Sequence, residues 1–405
     1  MDIDFLCPDA INDTHAYFRE VRRRDPVAWS ERHKAWVITG HPELAEAFHN
    51  PLFTTERMGA FKERLSGERK DALAQAVELL DGWMLFHEPP MHTRLRAPFG
   101  RAFTPRTVRG LEDDVRAICD SLLDAMEVNR SGFDIVEQFA HPLPAAVIAR
   151  LFGVPPELGD WLMEWSARFG VVVFGATRRP DYEELARAAG AEFHEHLGEL
   201  LRARREEPSD DLLTALLTYE DSDDGLSTIE VLGACSLILF AGHDTTSTLL
   251  GSAAVALSND REQADLLRAD NQRADYPAVV ECAIEELLRA EGAPKAMMRQ
   301  VTQDHEFAGH ALRAGESVFL NILAANRDER VFEHGDELDL TRDPNPHLTF
   351  GFGHHFCLGA SLARMEARIA IPALVGRFPG LRLDGPVTWK PNISDRSLQS
   401  APMRG

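Results

Sequence analysis

Apolar positions along the chain recur mostly at helical spacing. "LEDDVRAICDSLLDAM" (111–126), "YEELARAAGAEFHEHLGELLRARR" (182–205) and "YPAVVECAIEELLRA" (276–290) each repeat hydrophobic residues at intervals of three and four, which places them on one helical face. Strand-like alternation is confined to the two ends. "PVAWSERHKAWVITG" (26–40) predicts a hairpin, with β-branched and aromatic residues on either side of a polar turn. "FAGHALRAGESVFLNILAANRD" (307–328) supplies a second group of strand-like pieces, and the last stretch, about 380–405, a third. The pattern predicts a mainly α chain with small β-sheets, of α+β class. It forms one domain over 1–405, with β-rich pieces at about 26–40, 307–325 and 380–405 and no linker to divide it.

The longest helical segment begins after "DSDDGL". Ser227 and Glu230 form a capping-box pattern, and the periodic character runs to about Leu257. Roughly thirty residues at about 1.5 Å each make a rod on the order of 45 Å long. Inside it lies "AGHDTT" (241–246), a glycine, an acid and two hydroxyls amid Leu, Ile and Phe. Glycine costs about 1 kcal/mol in a helix interior, so this helix either tolerates an interruption or uses it.

Composition narrows the function classes. Hydrophobic content of 44% and charged content of 27% are globular values. A net charge of -22 opposes general binding to nucleic acid or to an anionic membrane. Five scattered cysteines without paired spacing predict reduced thiols in a cytoplasmic protein, not a disulfide framework. The start, "MDIDFLCPDA", carries no apolar run of the signal-peptide kind. The longest apolar stretch (231–242) is too short to span a bilayer.

The strongest chemical signal is "FGFGHHFCLGA" (350–360). Gly351 and Gly353 permit a tight turn before Cys357, and Gly359 precedes an amphipathic run, "ASLARMEARIAIPALVGRF". A cysteine at a helix N-terminus is favoured as thiolate. Such a thiolate serves as a nucleophile, a zinc ligand or an iron ligand. Zinc lacks a second cysteine nearby, and His354 or His355 is poorly placed as a base for a nucleophile. Axial ligation of haem iron needs a thiolate, small residues for a flat macrocycle and basic groups for its propionates, and it explains the most residues.

The pattern Phe350-x-x-Gly353-x-x-x-Cys357-x-Gly359 resembles the haem-binding loop of the cytochrome P-450 family, the haem-thiolate monooxygenases, of soluble bacterial type. "AGHDTT", "EELLR" and "HEPPMHTRLR" match further family segments in the right order. The resemblance implies the family's fold, with haem between the long central helix and the cysteine loop. Cys357 is then the iron ligand, with Phe350, Gly353 and Gly359 shaping its loop. His92, Arg96, Arg299 and His355 match propionate partners, and Ala241, Asp244 and Thr245 match the oxygen-activating segment, with Asp244 and Thr245 as its acid–alcohol pair. Glu286 and Arg289 match the scaffold ion pair. Glu337 stands where the family commonly has a third partner, an arginine, so the network is expected to be incomplete.

By the same resemblance Phe174, Leu237, Phe240, Ala241, Ala296, Met297 and Leu398 line a pocket for an apolar small organic substrate. The implied cofactor is haem b, with O2 as cosubstrate and electrons from NAD(P)H through a separate ferredoxin and reductase. "TRLRAPFGRAFTPRTVR" (93–109) holds five arginines and no acid, and Arg94, Arg101, Arg106 and Arg109 are expected to form a ferredoxin-docking patch on a monomer. A peroxygenase, an oxidative coupling enzyme and a non-catalytic haem sensor are the alternatives.

Overall fold

The computed structural model describes residues 2–63, 65–128, 132–155, 158–173, 180–220, 225–268 and 276–405. Backbone proximity groups the chain into two compact units. One comprises Met1–Thr54, Glu112–Pro144 and Thr245–Gly405, the other Thr55–Leu111 and Ala145–Asp244.

The first unit is built on a five-stranded sheet. Strands Val27–Ser30 and Ala35–Ile38 form the expected hairpin, with Val27 opposite Ile38. Ala35–Ile38 then runs parallel to Ser317–Leu320, which pairs antiparallel with Met297–Val301. Phe53–Thr54 closes the order at the edge. Alternation sends Val27, Ile38, Val301, Val318 and Leu320 to one face, where they bury against Leu44, Phe53, Phe307 and Leu312. Full burial of such side chains contributes about 1.5–3 kcal/mol each.

Several parts of the β reading change, and Phe53–Thr54 is a strand outside the stretches read from sequence. Met297–Val301 is a strand that lay outside the β-rich stretches read from sequence, because "MMRQV" carries little alternation. Ile322–Ala325 is helical, not extended, since the Asn321 side chain accepts a hydrogen bond from the Ala324 amide and starts a turn. Of the remaining strands, His305–Phe307, His310–Leu312 and four short ones between Arg382 and Arg404 fall close to where the pattern put them, whereas Phe133–Asp134 lies in the stretch read as helical. The helices Glu112–Glu127, Tyr276–Glu291 and Ala360–Arg377 also match their periodic runs.

The second unit is helical. Tyr182–Glu206 packs on Gly67–Asp81, where Gly190 allows the approach: a methyl there would lie 2.8 Å from the Ala76 amide nitrogen. Gly82 and Gly233 make a second close crossing, with a methyl on Gly233 meeting the Gly82 Cα at 2.7 Å. A stack of rings fills the interior, Trp83 lying 5.6 Å from Phe86, 5.4 Å from Phe240 and 5.9 Å from Phe169. The Trp83 indole N–H donates to Ser236 Oγ at 2.7 Å, which satisfies its one polar atom.

The long helix is Thr228–Asn259, 32 residues. Its start is the expected capping box: the Ser227 amide donates to Glu230 Oε2 at 2.8 Å, and the Glu230 amide to Ser227 Oγ at 3.3 Å. Among the described residues no helix is long and apolar enough to cross a membrane.

Candidate functional site

The cysteine loop is shaped by backbone before side chains. Gly351 and Gly353 have φ of +69° and +71°, the left-handed region that side chains resist. A single 3₁₀ turn, Gly353–His355, follows, and the Cys357 amide donates back to the Phe350 carbonyl at 2.9 Å. Helix Ala360–Arg377 begins three residues later, with Gly359 as its cap, so Cys357 lies just ahead of the helix rather than in its first turn. Its side chain is exposed, whereas Cys119 and Cys235 are buried and Cys7 and Cys282 partly so. Burial pushes the Cys119 thiol up to about 12. Of the five cysteines, Cys357 is thus the one with an exposed side chain.

The approach to the loop is stitched to helix Tyr276–Glu291. Thr349 Oγ1 donates to the Leu288 carbonyl at 2.8 Å, and the Leu348 amide donates to Asn326 Oδ1 at 2.8 Å. Gly292 leaves room for Thr349, whose Cγ2 would stand 2.6 Å from an added methyl. Arg364, from the helix after the cysteine, lies 4.5 Å from the Phe350 ring and forks onto Glu285 at 2.6 and 2.8 Å. The His347 ring contacts the same carboxylate at 3.1 Å. Burial raises the Glu285 carboxyl, but the Arg364 and His347 hydrogen bonds outweigh it and hold the group at about 2.

Glu286, the next residue, is fully buried with Arg289. Arg289 donates to it through Nε and Nη2, both at 2.7 Å. The network expected to be incomplete is complete. Arg342 Nε reaches both Glu286 oxygens at 3.2 and 3.1 Å, Asn345 Nδ2 adds a bond at 3.1 Å and the Asp339 amide one at 3.0 Å. Arg289 spends its other donors on the carbonyls of Asn326, Gly335 and Glu337. Glu337 thus contributes backbone only, and Arg342, five residues on, supplies the missing guanidinium. Sequence position alone could not show that this loop brings residue 342 back to residue 286.

Other expected site residues divide between the units. The first unit holds Cys357, partly buried His355 and Phe350, Gly353, Gly359, Thr245 and the buried Arg299, which donates to the Met298 carbonyl at 3.1 Å. The second holds Ala241, Asp244, His92 and Arg96, the last two one turn apart on helix Met91–Ala102. His92 is 2% exposed and Arg96 partly buried. On the long helix Ala241 and Thr245 are exposed, one turn apart, though most of its central residues are buried. Gly242 faces elsewhere, onto Ile148, whose Cδ1 would lie 2.5 Å from an added methyl.

The pocket residues read from sequence fare differently. Leu237 and Phe240 are nearly buried beside exposed Ala241. Ala296 is turned into a core cluster with Phe5, Phe18 and Val37, and Met297 packs on the sheet core. Leu398 is 3% exposed, and its Cδ1 would stand 2.9 Å from a methyl on Gly251. Phe174 lies outside the described residues. Of the arginine patch, Arg106 and Arg109 are exposed, but Arg94 is committed to an ion pair with Glu230, and the Arg101 side chain is outside those described.

Comparison with known proteins gives one answer. The cytochrome P450 family model matches residues 49–383. The polyketide biosynthesis cytochrome P450 PksS of Bacillus subtilis is 34% identical over 396 residues, 95% of this chain and 93% of that protein. Nocardicin C N-oxygenase of Nocardia uniformis is 37% identical over 401 residues, 96% and 95% of the two chains. Among solved structures, P450BioI in complex with an acyl carrier protein ligated to hexadec-9Z-enoic acid superposes with a TM-score of 0.88 at 31% identity. That match covers 98% of this chain and 99% of the other.

Two outcomes test the support beneath the cysteine loop. Arg342→Met removes charged hydrogen bonds from a buried carboxylate and is expected to lower stability by about 1.5–3 kcal/mol, measured by urea unfolding; an unchanged midpoint contradicts the network. Glu285 has a folded pKa below its unfolded value, so its contribution is present above about pH 4.5 and lost as pH falls towards 2. Glu285→Gln is expected to cost about 1–2 kcal/mol at pH 7, allowing for partial exposure, and progressively less from pH 4.5 downward. A cost that stays constant across that range refutes the assignment.

Proposed function

Because the chain belongs to the cytochrome P450 family, and is a haem-thiolate monooxygenase using O2 and external reducing equivalents, we propose that it inserts one oxygen atom from O2 into a C–H bond of an apolar small organic molecule. In this reading residues 1–405 act as a single catalytic domain, haem b is the cofactor, and electrons pass from NAD(P)H through a separate ferredoxin and its reductase. The observation that carries the proposal is the exposed Cys357 sulfur, held on a left-handed glycine turn while the other cysteines are wholly or partly buried.

The donor set suits a haem. An exposed thiol on a glycine turn is the ligand type a haem takes, and the family resemblance assigns its propionates to the guanidinium and imidazole groups of Arg299, His355, His92 and Arg96. When bound, haem supplies the metal centre for oxygen activation, and an anionic sulfur ligand favours O–O cleavage. Cys357 would hold the iron and, as the family resemblance implies, Arg299, His355, His92 and Arg96 would pair with the propionates. Asp244 passes protons inward from solvent, and the Thr245 hydroxyl orders the water that receives them. Leu237, Phe240 and Ala241 present apolar surface to the substrate. Arg106 and Arg109, exposed on an acidic protein, are the remaining candidates for attracting an acidic ferredoxin.

The reading is tested by colour. Reduced, carbon-monoxide-treated holoprotein is expected to give the red-displaced Soret band of a thiolate ligand, and Cys357→Ser to lose that band while retaining haem. A normal histidine-type spectrum from the wild type overturns it. Thr245→Ala is expected to lower product formed per NAD(P)H at least roughly tenfold, with hydrogen peroxide appearing instead; tight coupling in that variant removes the proton-ordering role. Reversing Arg106 and Arg109 to Glu should slow ferredoxin-driven turnover about tenfold at low salt and little at high salt. Equal rates at both ionic strengths place the donor elsewhere.

A further inference from the structure

Arg57 differs from the other well-buried arginines of this protein. Burial lowers its guanidinium to about 10, which still leaves it charged at neutral pH. Among the described residues no carboxylate or other acceptor is hydrogen-bonded to its guanidinium, which lies over the face of Phe86, 4.6 Å from the ring centroid. Carboxylates stand close in the chain but are engaged otherwise. Glu88 accepts from the Thr55 amide at 2.8 Å and from Thr55 Oγ1 at 3.1 Å, and Glu56 accepts from the Glu88 amide at 3.3 Å. The residue is only partly buried and none of its guanidinium nitrogens is among the fully buried unpartnered atoms, so a ligand can reach it.

Its aromatic neighbour leads to the reacting region of the same unit. Phe86 stacks on Trp83, Trp83 stacks on Phe240, and Phe240 is followed on the long helix by exposed Ala241 and then by Asp244. A cation on an aromatic face gains modestly from the ring. That gain does not replace the hydrogen-bond acceptors a desolvated guanidinium requires.

We propose that Arg57 is a specificity residue that takes the carboxylate of the substrate, so that the substrate class is an apolar or aromatic monocarboxylic acid. The inference rests on the monooxygenase reading and deepens it. A guanidinium fork matches one carboxylate with two parallel hydrogen bonds. A phosphate or sulfate ester would call for further cations, and none is paired with Arg57 here. The apolar remainder of the acid runs beside the nearly buried Phe86–Trp83–Phe240 stack towards exposed Ala241, and Arg57 sets which carbon is presented.

The test uses haem-loaded full-length protein whose carbon-monoxide spectrum is normal, so that failure of the monooxygenase reading is recognised first. Paired probes are 4-phenylbutanoate with its primary amide and dodecanoate with its primary amide. Binding is read by spin-state titration and, independently of the haem signal, by equilibrium dialysis. At least one acid is expected to bind about tenfold or more tightly than its amide, a preference weakened by high salt. Arg57→Gln should abolish that preference with little change in amide affinity, and Arg57→Lys should keep part of it. The melting temperature of Arg57→Gln should be unchanged or higher, because an uncompensated buried charge has been removed. The proposal is overturned if no acid is preferred to its amide, silence of every probe included. It is equally overturned if Arg57→Gln keeps the preference, or weakens acid and amide alike with a fall in melting temperature.

Discussion

The placement of Cys357 depends on two consecutive carboxylates, Glu285 and Glu286. Neighbouring residues on a helix point about 100° apart, so one turn of Tyr276–Glu291 grips two separate segments. Glu285 takes Arg364 of helix Ala360–Arg377 and His347 of the irregular segment that enters the cysteine loop. Glu286 takes Arg289, Arg342, Asn345 and the Asp339 amide. Burying a carboxylate is costly unless its lone pairs are met, and here donors from four chain positions meet those of Glu286. A glycine-rich loop has few side chains with which to anchor itself. Its geometry is therefore borrowed from the charge pairs below it.

Local signals were legible in the sequence because they act over one or two turns. The capping box at Ser227 and Glu230, the hairpin at 27–38 and the helix ends near 127, 206, 291 and 377 all follow from nearby residues. What stayed hidden depends on distant chain. Arg342 reaches Glu286 only after the loop has returned across 56 positions. Ala296 reads as a small apolar residue in either a pocket or a core, and only Phe5, Phe18 and Val37, from the far N-terminus, decide for the core. The same holds for Arg94, an apparent member of a basic patch until Glu230, 136 positions later, claims it.

The long helix combines both kinds of information. Its glycines at 233 and 242 are explained by close packing, against Gly82 and Ile148 respectively, and so need no catalytic reason. Ala241 and Thr245 resist that explanation, since they are exposed midway along a helix whose neighbours are mostly buried. A helix that breaks its own burial on one narrow stripe presents that stripe to something other than protein core. The stripe carries a hydroxyl, with Asp244 beside it in sequence. Packing accounts for the glycines but not for the exposure of Ala241 and Thr245.

Buried ionisable groups in this protein follow three solutions, and their contrast gives Arg57 its meaning. Arg22, Arg289 and Arg327 are each met by backbone carbonyls together with a carboxylate. Glu366 takes the second route: buried without a hydrogen-bond partner, it is pushed well above the usual carboxylate range and so sheds its charge by keeping its proton. That route is closed to a guanidinium, which remains charged at neutral pH. Arg57 has neither compensation among the described residues; it lies over an aromatic face and is only partly buried. The third solution is a counter-charge from outside the chain, which the proposed carboxylate substrate would supply.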